Sequence, residues 1–185
     1  MKDVLIGRQA IYDRTLQVRA YELLFRGGGL DLSRPDQADR ATSRVLIDSL
    51  TAIGLERLVG ERRAFLNLTR SFVLGEYPLP VHPDRVVLEV LENVGVDAPI
   101  VAGLRRLKDQ GFTLALDDFE YIPGCEPLLE LCDMVKLDVL TVDDAEVERR
   151  FKRLERFDVT MLAEKIETRE RFELCKNLGF ELFQG

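Results

Sequence analysis

The chain has 185 residues and a formal net charge of −7 at pH 7, with 46% hydrophobic and 32% charged residues. This composition is typical of a globular chain that is long enough for one sizeable core and rather short for two. The acidic balance excludes a broad basic surface of the kind that binds DNA, so any anionic ligand must be held locally.

Eight apolar runs predict strands at 3–12, 16–25, 63–69, 85–92, 112–119, 133–139, 159–166 and 180–184. Most are rich in Val, Leu, Ile and Phe, as are strands that are covered on both faces. Between them lie stretches with the i, i+4, i+7 apolar period of a helix. These stretches are Leu46, Leu50 and Ile53; Ile100, Leu104 and Leu107; and Val147, Phe151 and Leu154.

The alternation of strands and helices predicts the fold class, an α/β protein with a single barrel domain over residues 1–185. Eight strands in one domain favour a closed (β/α)8 TIM-like barrel. The turn around Asp13 and Arg14 is too short for a parallel crossover, so the first two strands should be antiparallel. The chain stops at Gln184 and Gly185 without a helix after the eighth strand, which suggests either truncation there or another segment covering that side.

The cysteines and the apolar runs indicate a reducing compartment. Cys125, Cys132 and Cys175 are an odd number without CxxC spacing, which argues against a disulfide framework or a zinc site and favours core packing. No signal-peptide segment is visible, and no apolar run approaches the roughly 20 residues of a membrane span. We expect a cytoplasmic protein without a membrane span, in which His82, beside a proline, is a surface residue.

Seven predicted strands, the second to the eighth, each carry a polar side chain near the carboxyl end. In a barrel these ends converge on one rim, where the fold places its chemistry. Converging carboxylates would repel one another in a partly desolvated cup, and a cation is the natural remedy. Oxygen donors without His or Cys suit Mg²⁺, Mn²⁺ or Ca²⁺. The set is Glu22, Asn67, Glu89, Asp117, Asp118, Lys136, Asp138, Glu164 and Gln184.

Each of these residues also has a structural interpretation. An aspartate at a strand end is often the cap of the next helix, and a strand lysine is often half of an ion pair. Taken singly, the residues favour those interpretations, whereas the pattern over seven strands favours a shared site. The Gly-rich run at 26–29 lacks the features of a phosphate-binding loop, and is a flexible segment that could bring Arg26 to a phosphate.

The motifs YELLFR, FLNLT, LEVLE, ALDDF, VKLD, LAEKIET and FQG together resemble the EAL domain family. Members are bacterial signal-transduction phosphodiesterases that cleave cyclic di-GMP to the linear dinucleotide pGpG. The match runs from Tyr21 to Gly185. YELLFR and LAEKIET look like the group in which an HDOD domain follows, so the resemblance implies an HDOD domain or other signalling proteins as partners, and possible homodimers.

The resemblance also implies a role for each polar residue. Arg26 and Gln184 would contact the ligand, and Glu92 would support the loop after the fifth strand. Lys136, Glu164 and Gln184 would be catalytic, with Lys136 orienting the water or the attacked phosphate and Gln184 helping to position water and ligand. The ligands of two ions, Mg²⁺ or Mn²⁺, would be Glu22, Asn67, Glu89, Asp117, Asp118 and Glu164, with Asp118 at the second ion.

The segment after the paired aspartates departs from the family pattern. Active members usually continue with a glycine-rich DDFGTGYSSL-like segment, whereas this chain has DDFEYIPGCEPL. Glycine reaches backbone conformations that are closed to Glu120 or Tyr121, and Pro123 removes a donor. Lys165 stands where active members usually have glycine, a bulky cation beside Glu164 that could partly replace a metal's charge.

These departures favour a degenerate EAL-like module with a regulatory or interaction role and weak or no catalysis, which could still bind a divalent ion and cyclic di-GMP. The alternative is an active Mg²⁺- or Mn²⁺-dependent cyclic di-GMP phosphodiesterase. A barrel enzyme for another phosphoester shares the metal argument and has no positive support.

Overall fold

The computed structural model describes residues 4–27, 46–47, 50–51, 53–91, 97–122 and 124–185, with the backbone alone at 4, 5 and 25–27. Eight strands form a closed barrel in chain order. This confirms the predicted fold class. The strands are β1 (Val4–Asp13), β2 (Val18–Gly27), β3 (Arg63–Leu68), β4 (Val86–Val90), β5 (Thr113–Leu116), β6 (Met134–Asp138), β7 (Thr160–Glu164) and β8 (Leu182–Phe183).

The first strand runs against both of its neighbours. β1 pairs antiparallel with β2 and with β8, while all other neighbours are parallel. The tight turn between β1 and β2 is closed by Asp13, whose Oδ1 accepts hydrogen bonds from the backbone N–H groups of Thr15 and Gln17 at 2.8 and 3.0 Å. The antiparallel first pair is therefore confirmed, and side-chain hydrogen bonding explains how so short a turn is held.

Helices cover the outside of the barrel. The longest begin at capping residues, since Asp97, Asp143 and Thr168 each accept a hydrogen bond from a backbone N–H three residues later. Residues 46, 47, 50, 51 and 53 are also helical. The other helical segments, including the three that begin at these caps, are α1 (Leu55–Val59), α2 (Arg70–Leu74), α3 (Ala98–Asp109), α4 (Glu126–Leu129), α5 (Asp144–Leu154) and α6 (Arg169–Leu178).

The predicted helical faces are buried, with one exception. The residues that set the helical period all pack in the core with the three cysteines, namely Leu46 and Leu50, Ile100, Leu104 and Leu107 of α3, and Val147, Phe151 and Leu154 of α5. Ile53 is 38% exposed, because the chain turns at Gly54 (φ 82°) and enters α1 before that side chain meets the barrel. None of the described helices is long and apolar enough to cross a membrane. The side chain of His82 lies at the surface, as expected.

The side chains that face into the barrel determine where the site lies. Successive residues of a strand face opposite sides, so residues i and i+2 point the same way. A small apolar cluster inside the barrel forms a floor, and seven strands each carry a polar residue two positions beyond it, towards the carboxyl end. The pairs are Ala20 and Glu22, Phe65 and Asn67, Val87 and Glu89, Ala115 and Asp117, Met134 and Lys136, Leu162 and Glu164, and Leu182 and Gln184.

Candidate functional site

A buried lysine lies at the centre of these polar residues. Lys136 is 0% exposed, and its Nζ is 2.7 Å from Asp117 Oδ1, 2.8 Å from Glu164 Oε1 and 3.4 Å from Glu22 Oε2. It also contacts Glu89 Oε1. We call these five residues the inner cluster. Four carboxylates from four strands thus share one ammonium group.

Two amide side chains hold one of the carboxylates. Gln184 Nε2 donates to Glu22 Oε2 at 2.7 Å, and Asn67 Nδ2 lies 3.5 Å from Glu22 Oε1. Both oxygens of Glu22 therefore have a polar neighbour, and that carboxylate is fixed between β3 and β8. The structure brings together seven of the predicted site residues, while their functional roles stay predictions.

The inner cluster holds more acid groups than its single ammonium can neutralise. Burial raises the pKa of Glu89 well above its usual range, against the attraction of Lys136. Burial likewise raises the pKa of Glu164 to about 7. Burial lowers the pKa of Lys136, but the four carboxylates together raise it above its ordinary value. Without a further cation, the cluster retains protons near neutral pH and the lysine stays charged.

The donor chemistry of the inner cluster fits a divalent cation. Buried oxygens without a hydrogen-bond partner among the described residues are Asn67 Oδ1, Glu89 Oε2, Glu164 Oε2 and Gln184 Oε1. Buried polar atoms are normally satisfied, so such oxygens indicate a missing positive partner. In the part of the chain that the structure describes, no three acidic, cysteine or histidine side chains are already arranged as a metal site. Four of the carboxylates face Lys136 instead.

A second lysine forms a separate group at the same rim. Lys165 Nζ donates to Asp138 Oδ2 at 2.6 Å and to Asp118 Oδ1 at 3.1 Å. We call these three residues the outer cluster. Its side chains are 25 to 48% exposed. We expected Lys165 to act beside Glu164, and Asp118 to act beside Asp117. In the structure the side chains of Lys165 and Asp118 contact each other.

The backbone repeats one arrangement at the ends of β5 and β7. Asp118 (φ 43°) and Lys165 (φ 57°) both have the left-handed conformation that side chains disfavour, by about 1 to 2 kcal/mol per residue. Each follows an acid of the inner cluster, and the N–H of the next residue bonds to a neighbouring strand end: Phe119 to Lys136 O and Ile166 to Gln184 O, both at 3.0 Å. The frame of the barrel therefore enforces both conformations.

The loop after β5 is fastened to the outside of the barrel. The hydroxyl of Tyr121 donates to Glu126 Oε1 at 2.5 Å and accepts from Arg156 at 3.1 Å. The guanidinium of Arg153 lies over the Tyr121 ring, 5.0 Å from its centroid. This attachment was missed from sequence, although an aromatic residue within the segment that is usually glycine-rich and the arginine-rich α5 were visible signals.

Two predicted site residues cannot be placed in the site. Arg26 belongs to β2, but its side chain lies outside the described residues, as does the whole of Glu92. Asp138 was recognised at the rim without a specific role, and the structure makes it the nearer partner of Lys165. Its position follows from the strand register, in which Asp138 lies beside Glu164, the residue before Lys165.

No model of a protein family matches the sequence. Uncharacterized protein YuxH of Bacillus subtilis (strain 168) is 36% identical over 188 residues, 98% of this chain and 46% of that protein. Cyclic di-GMP phosphodiesterase CdgJ of Vibrio cholerae is 30% identical over 189 residues, 100% of this chain and 44% of that protein. The chain is thus related to a cyclic di-GMP phosphodiesterase, and it spans less than half the length of these curated relatives.

Solved structures show the same fold. The Bacillus subtilis YkuI protein, which has an EAL domain and was solved in complex with substrate c-di-GMP and calcium, matches with a TM-score of 0.77 at 21% identity. The match covers 99% of this chain and 54% of that chain. The closed barrel described above therefore has the same fold as this EAL-domain protein.

Proposed function

We propose that this chain is an EAL-family domain that binds a divalent cation and cyclic di-GMP at the inner cluster and acts as a regulatory module with weak or no hydrolysis. The observation that carries the proposal is the convergence of Glu22, Glu89, Asp117 and Glu164 on Lys136. A protein of the same fold, the YkuI protein, was solved in complex with substrate c-di-GMP and calcium, which supports these two ligands.

The chain's own residues supply a binding site for such a cation, Mg²⁺ or Mn²⁺. Glu22, Asn67, Glu89, Asp117 and Glu164 would hold it, and Gln184 would keep Glu22 in place. A bound divalent ion would supply positive charge against a phosphodiester. Lys136 would balance the remaining carboxylates, so that the cup can accept an anionic ligand in an otherwise acidic chain.

Weak or absent hydrolysis is favoured by the loop after β5. Tyr121 is attached to Glu126 and to α5, and Asp118 is held in the outer cluster. Misplacing one supporting group can lower a catalytic rate by orders of magnitude while the fold stays intact. We therefore expect ligand binding to survive better than turnover.

An active phosphodiesterase is the second candidate, and the complete inner cluster favours it. Hydrolysis would add water to one phosphodiester of the ring and break one P–O bond, which gives pGpG. Lys136 and Gln184 would then act on the reacting groups, and Arg26 would contact a phosphate. Glu92 would support the loop.

Calorimetry and product analysis separate the two candidates. The protein is titrated with cyclic di-GMP with and without Mn²⁺, and then incubated with both while pGpG is measured by chromatography. We expect binding that requires Mn²⁺, with little or no product. The matched controls are Glu22→Ala, which should abolish binding, and Glu170→Ala on the exposed start of α6, which should not.

Two results would overturn parts of the proposal. Rapid formation of pGpG that Glu22→Ala abolishes would replace the regulatory module by an active enzyme. Absence of binding with or without Mn²⁺ would remove the ligand role altogether and leave a protein-interaction module.

Partners and location belong to the same proposal. The two relatives are about twice as long as the matched region, which leaves room in them for further domains. An HDOD domain, another signalling protein or a second copy of the chain would receive the signal. Three buried cysteines without disulfides support a cytoplasmic location.

A further inference from the structure

The proposed function places the cation and the ligand at the inner cluster and assigns no ligand to the outer cluster. Lys165 Nζ contacts carboxylates from two other strand ends, Asp118 after β5 and Asp138 at the end of β6. All three side chains are partly exposed, so solutes can reach them. The cluster lies beside the inner one, since Asp117 precedes Asp118 and Glu164 precedes Lys165.

We infer that Lys165 is a built-in cation that occupies the place of a second metal ion, so that this chain binds one divalent ion instead of two. The inference rests on the proposed function, because that function supplies the first ion. The two remain separable, since the inner cluster determines whether any ion binds and Lys165 determines whether another can follow.

Charge and hydrogen bonding support a permanent ammonium between the two acids. Lys165 Nζ lies 2.6 Å from Asp138 Oδ2 and 3.1 Å from Asp118 Oδ1, so one ammonium group serves both carboxylates. A metal ion would have to displace an ammonium that already bonds to both carboxylates.

Backbone hydrogen bonds hold Lys165 in position at the end of β7. Both residues flanking it are bound to neighbouring strands, since Val139 N–H donates to Glu164 O at 3.2 Å and Ile166 N–H donates to Gln184 O at 3.0 Å. The left-handed conformation of Lys165 is thus imposed by β6 and β8. The ammonium reaches the two acids from a rigid strand end and not from a mobile loop.

The backbone conformation of Lys165 also indicates a role for its side chain. A glycine would adopt a φ of 57° without the crowding that a Cβ brings. The lysine keeps an unfavourable backbone, and what it gains there is contact with Asp118 and Asp138. Asp118 has the same left-handed conformation. Two such residues that pair with each other form an arrangement more specific than a chance surface ion pair.

Counting bound Mn²⁺ tests the inference without measuring activity. Equilibrium dialysis and the electron paramagnetic resonance of free Mn²⁺ give the number of ions per chain. We expect one ion for the unchanged chain and two for Lys165→Met, which keeps an unbranched side chain only one atom shorter and removes the charge. Lys165→Gly should also give two, and it covers the case in which the methionine variant does not fold.

Two further variants locate the additional ion. Asp118→Asn combined with Lys165→Met should return the count to one, because the freed carboxylate is lost. Lys152→Met is the matched control, since Lys152 is an exposed lysine on α5 that pairs with Glu148 and belongs to neither cluster, and it should leave the count at one.

The difference between variants decides the inference, and the count in the unchanged chain decides the proposed function. Two ions in the unchanged chain, no increase on removing Lys165, or an equal increase with Lys152→Met would each overturn the inference. No ion in the unchanged chain but one in Lys165→Met would keep Lys165 as the cation that excludes a metal ion from the outer cluster, but it would overturn the count of one and the inner metal site. No ion in either would overturn both.

Discussion

The inner and outer clusters are built from the same groups and differ in burial. Lys136 and its four acids are at most 15% exposed, whereas Lys165 and its two acids are 25 to 48% exposed. Water screens the outer charges, so their pairing is of modest strength. The inner charges lack that screening and depend on one another.

Burial also decides what each cluster can exchange. Burial raises the pKa of both Glu89 and Glu164, and each has a carboxylate oxygen without a hydrogen-bond partner among the described residues, so these two acids can release protons when a cation binds. The outer acids already bond to an ammonium. The comparison indicates that cation binding belongs to the inner cluster and charge balance to the outer one.

Removing each lysine in turn is expected to give the largest difference in stability between the two clusters. Lys136→Met leaves four buried carboxylates without an ammonium, and we expect a loss of about 3–5 kcal/mol in the free energy of unfolding at pH 8 without metal. Lys165→Met is the matched variant and should lose about 1 kcal/mol or less. Urea unfolding followed by circular dichroism measures both. Equal losses would contradict the assignment of different roles.

The pH dependence of the metal-free protein gives the next largest effect. The folded pKa of Glu164 is about 7, above the ordinary 4.5, so the folded state binds a proton more tightly than the unfolded state. Stability is therefore highest below pH 4.5 for this group and falls as the pH rises through 7, by on the order of 3 kcal/mol.

Urea midpoints between pH 5 and 8 measure that slope. Glu164→Gln removes one titrating group and should reduce the slope, and Glu89, whose pKa burial also raises, accounts for the slope that remains. A midpoint that rises over this range, or an unchanged slope in the glutamine variant, would show that Glu164 is not the group responsible. Glu167→Gln, at an exposed position near the same strand end, is the control.

The convergence of the inner cluster could be predicted from the sequence. A period of two along each strand sets which side chains face inward, and parallel strands bring their carboxyl ends to one rim. Phe65 and Asn67 illustrate this, since they are two residues apart and both point into the barrel. The antiparallel first pair followed from the length of its turn.

The pairing of individual charges could not be predicted in the same way. A lysine ammonium lies at the end of a flexible stem, so its partner depends on strand register and on backbone conformation. Asp138 is opposite Glu164 in the register of β6 and β7. The left-handed backbone at Lys165, the residue after Glu164, then directs the Lys165 side chain towards Asp138. Neither quantity is visible as a periodic pattern. The exposure of Ile53 could not be predicted for a similar reason. The helical period places this residue on the buried face, but the chain turns at the next residue and leaves the side chain exposed.

The smallest effect concerns the backbone of the outer cluster. Lys165→Gly loses two partly exposed ion pairs, which contribute at most about 1 kcal/mol each, but relieves the left-handed conformation by a similar amount. We expect a net change within about 1 kcal/mol. Lys165→Ala loses the same ion pairs and keeps the unfavourable conformation, so it should be about 1 kcal/mol less stable than the glycine variant in urea unfolding.

The order of these two variants distinguishes the two contributions at Lys165. Glycine more stable than alanine means that the frame of the barrel still imposes the left-handed conformation once the lysine is gone. Equal stabilities would mean that the backbone relaxes, and that the ion pairs with Asp118 and Asp138 had held it there. In that case the outer cluster would shape its own strand end, whereas the inner cluster is shaped by the barrel.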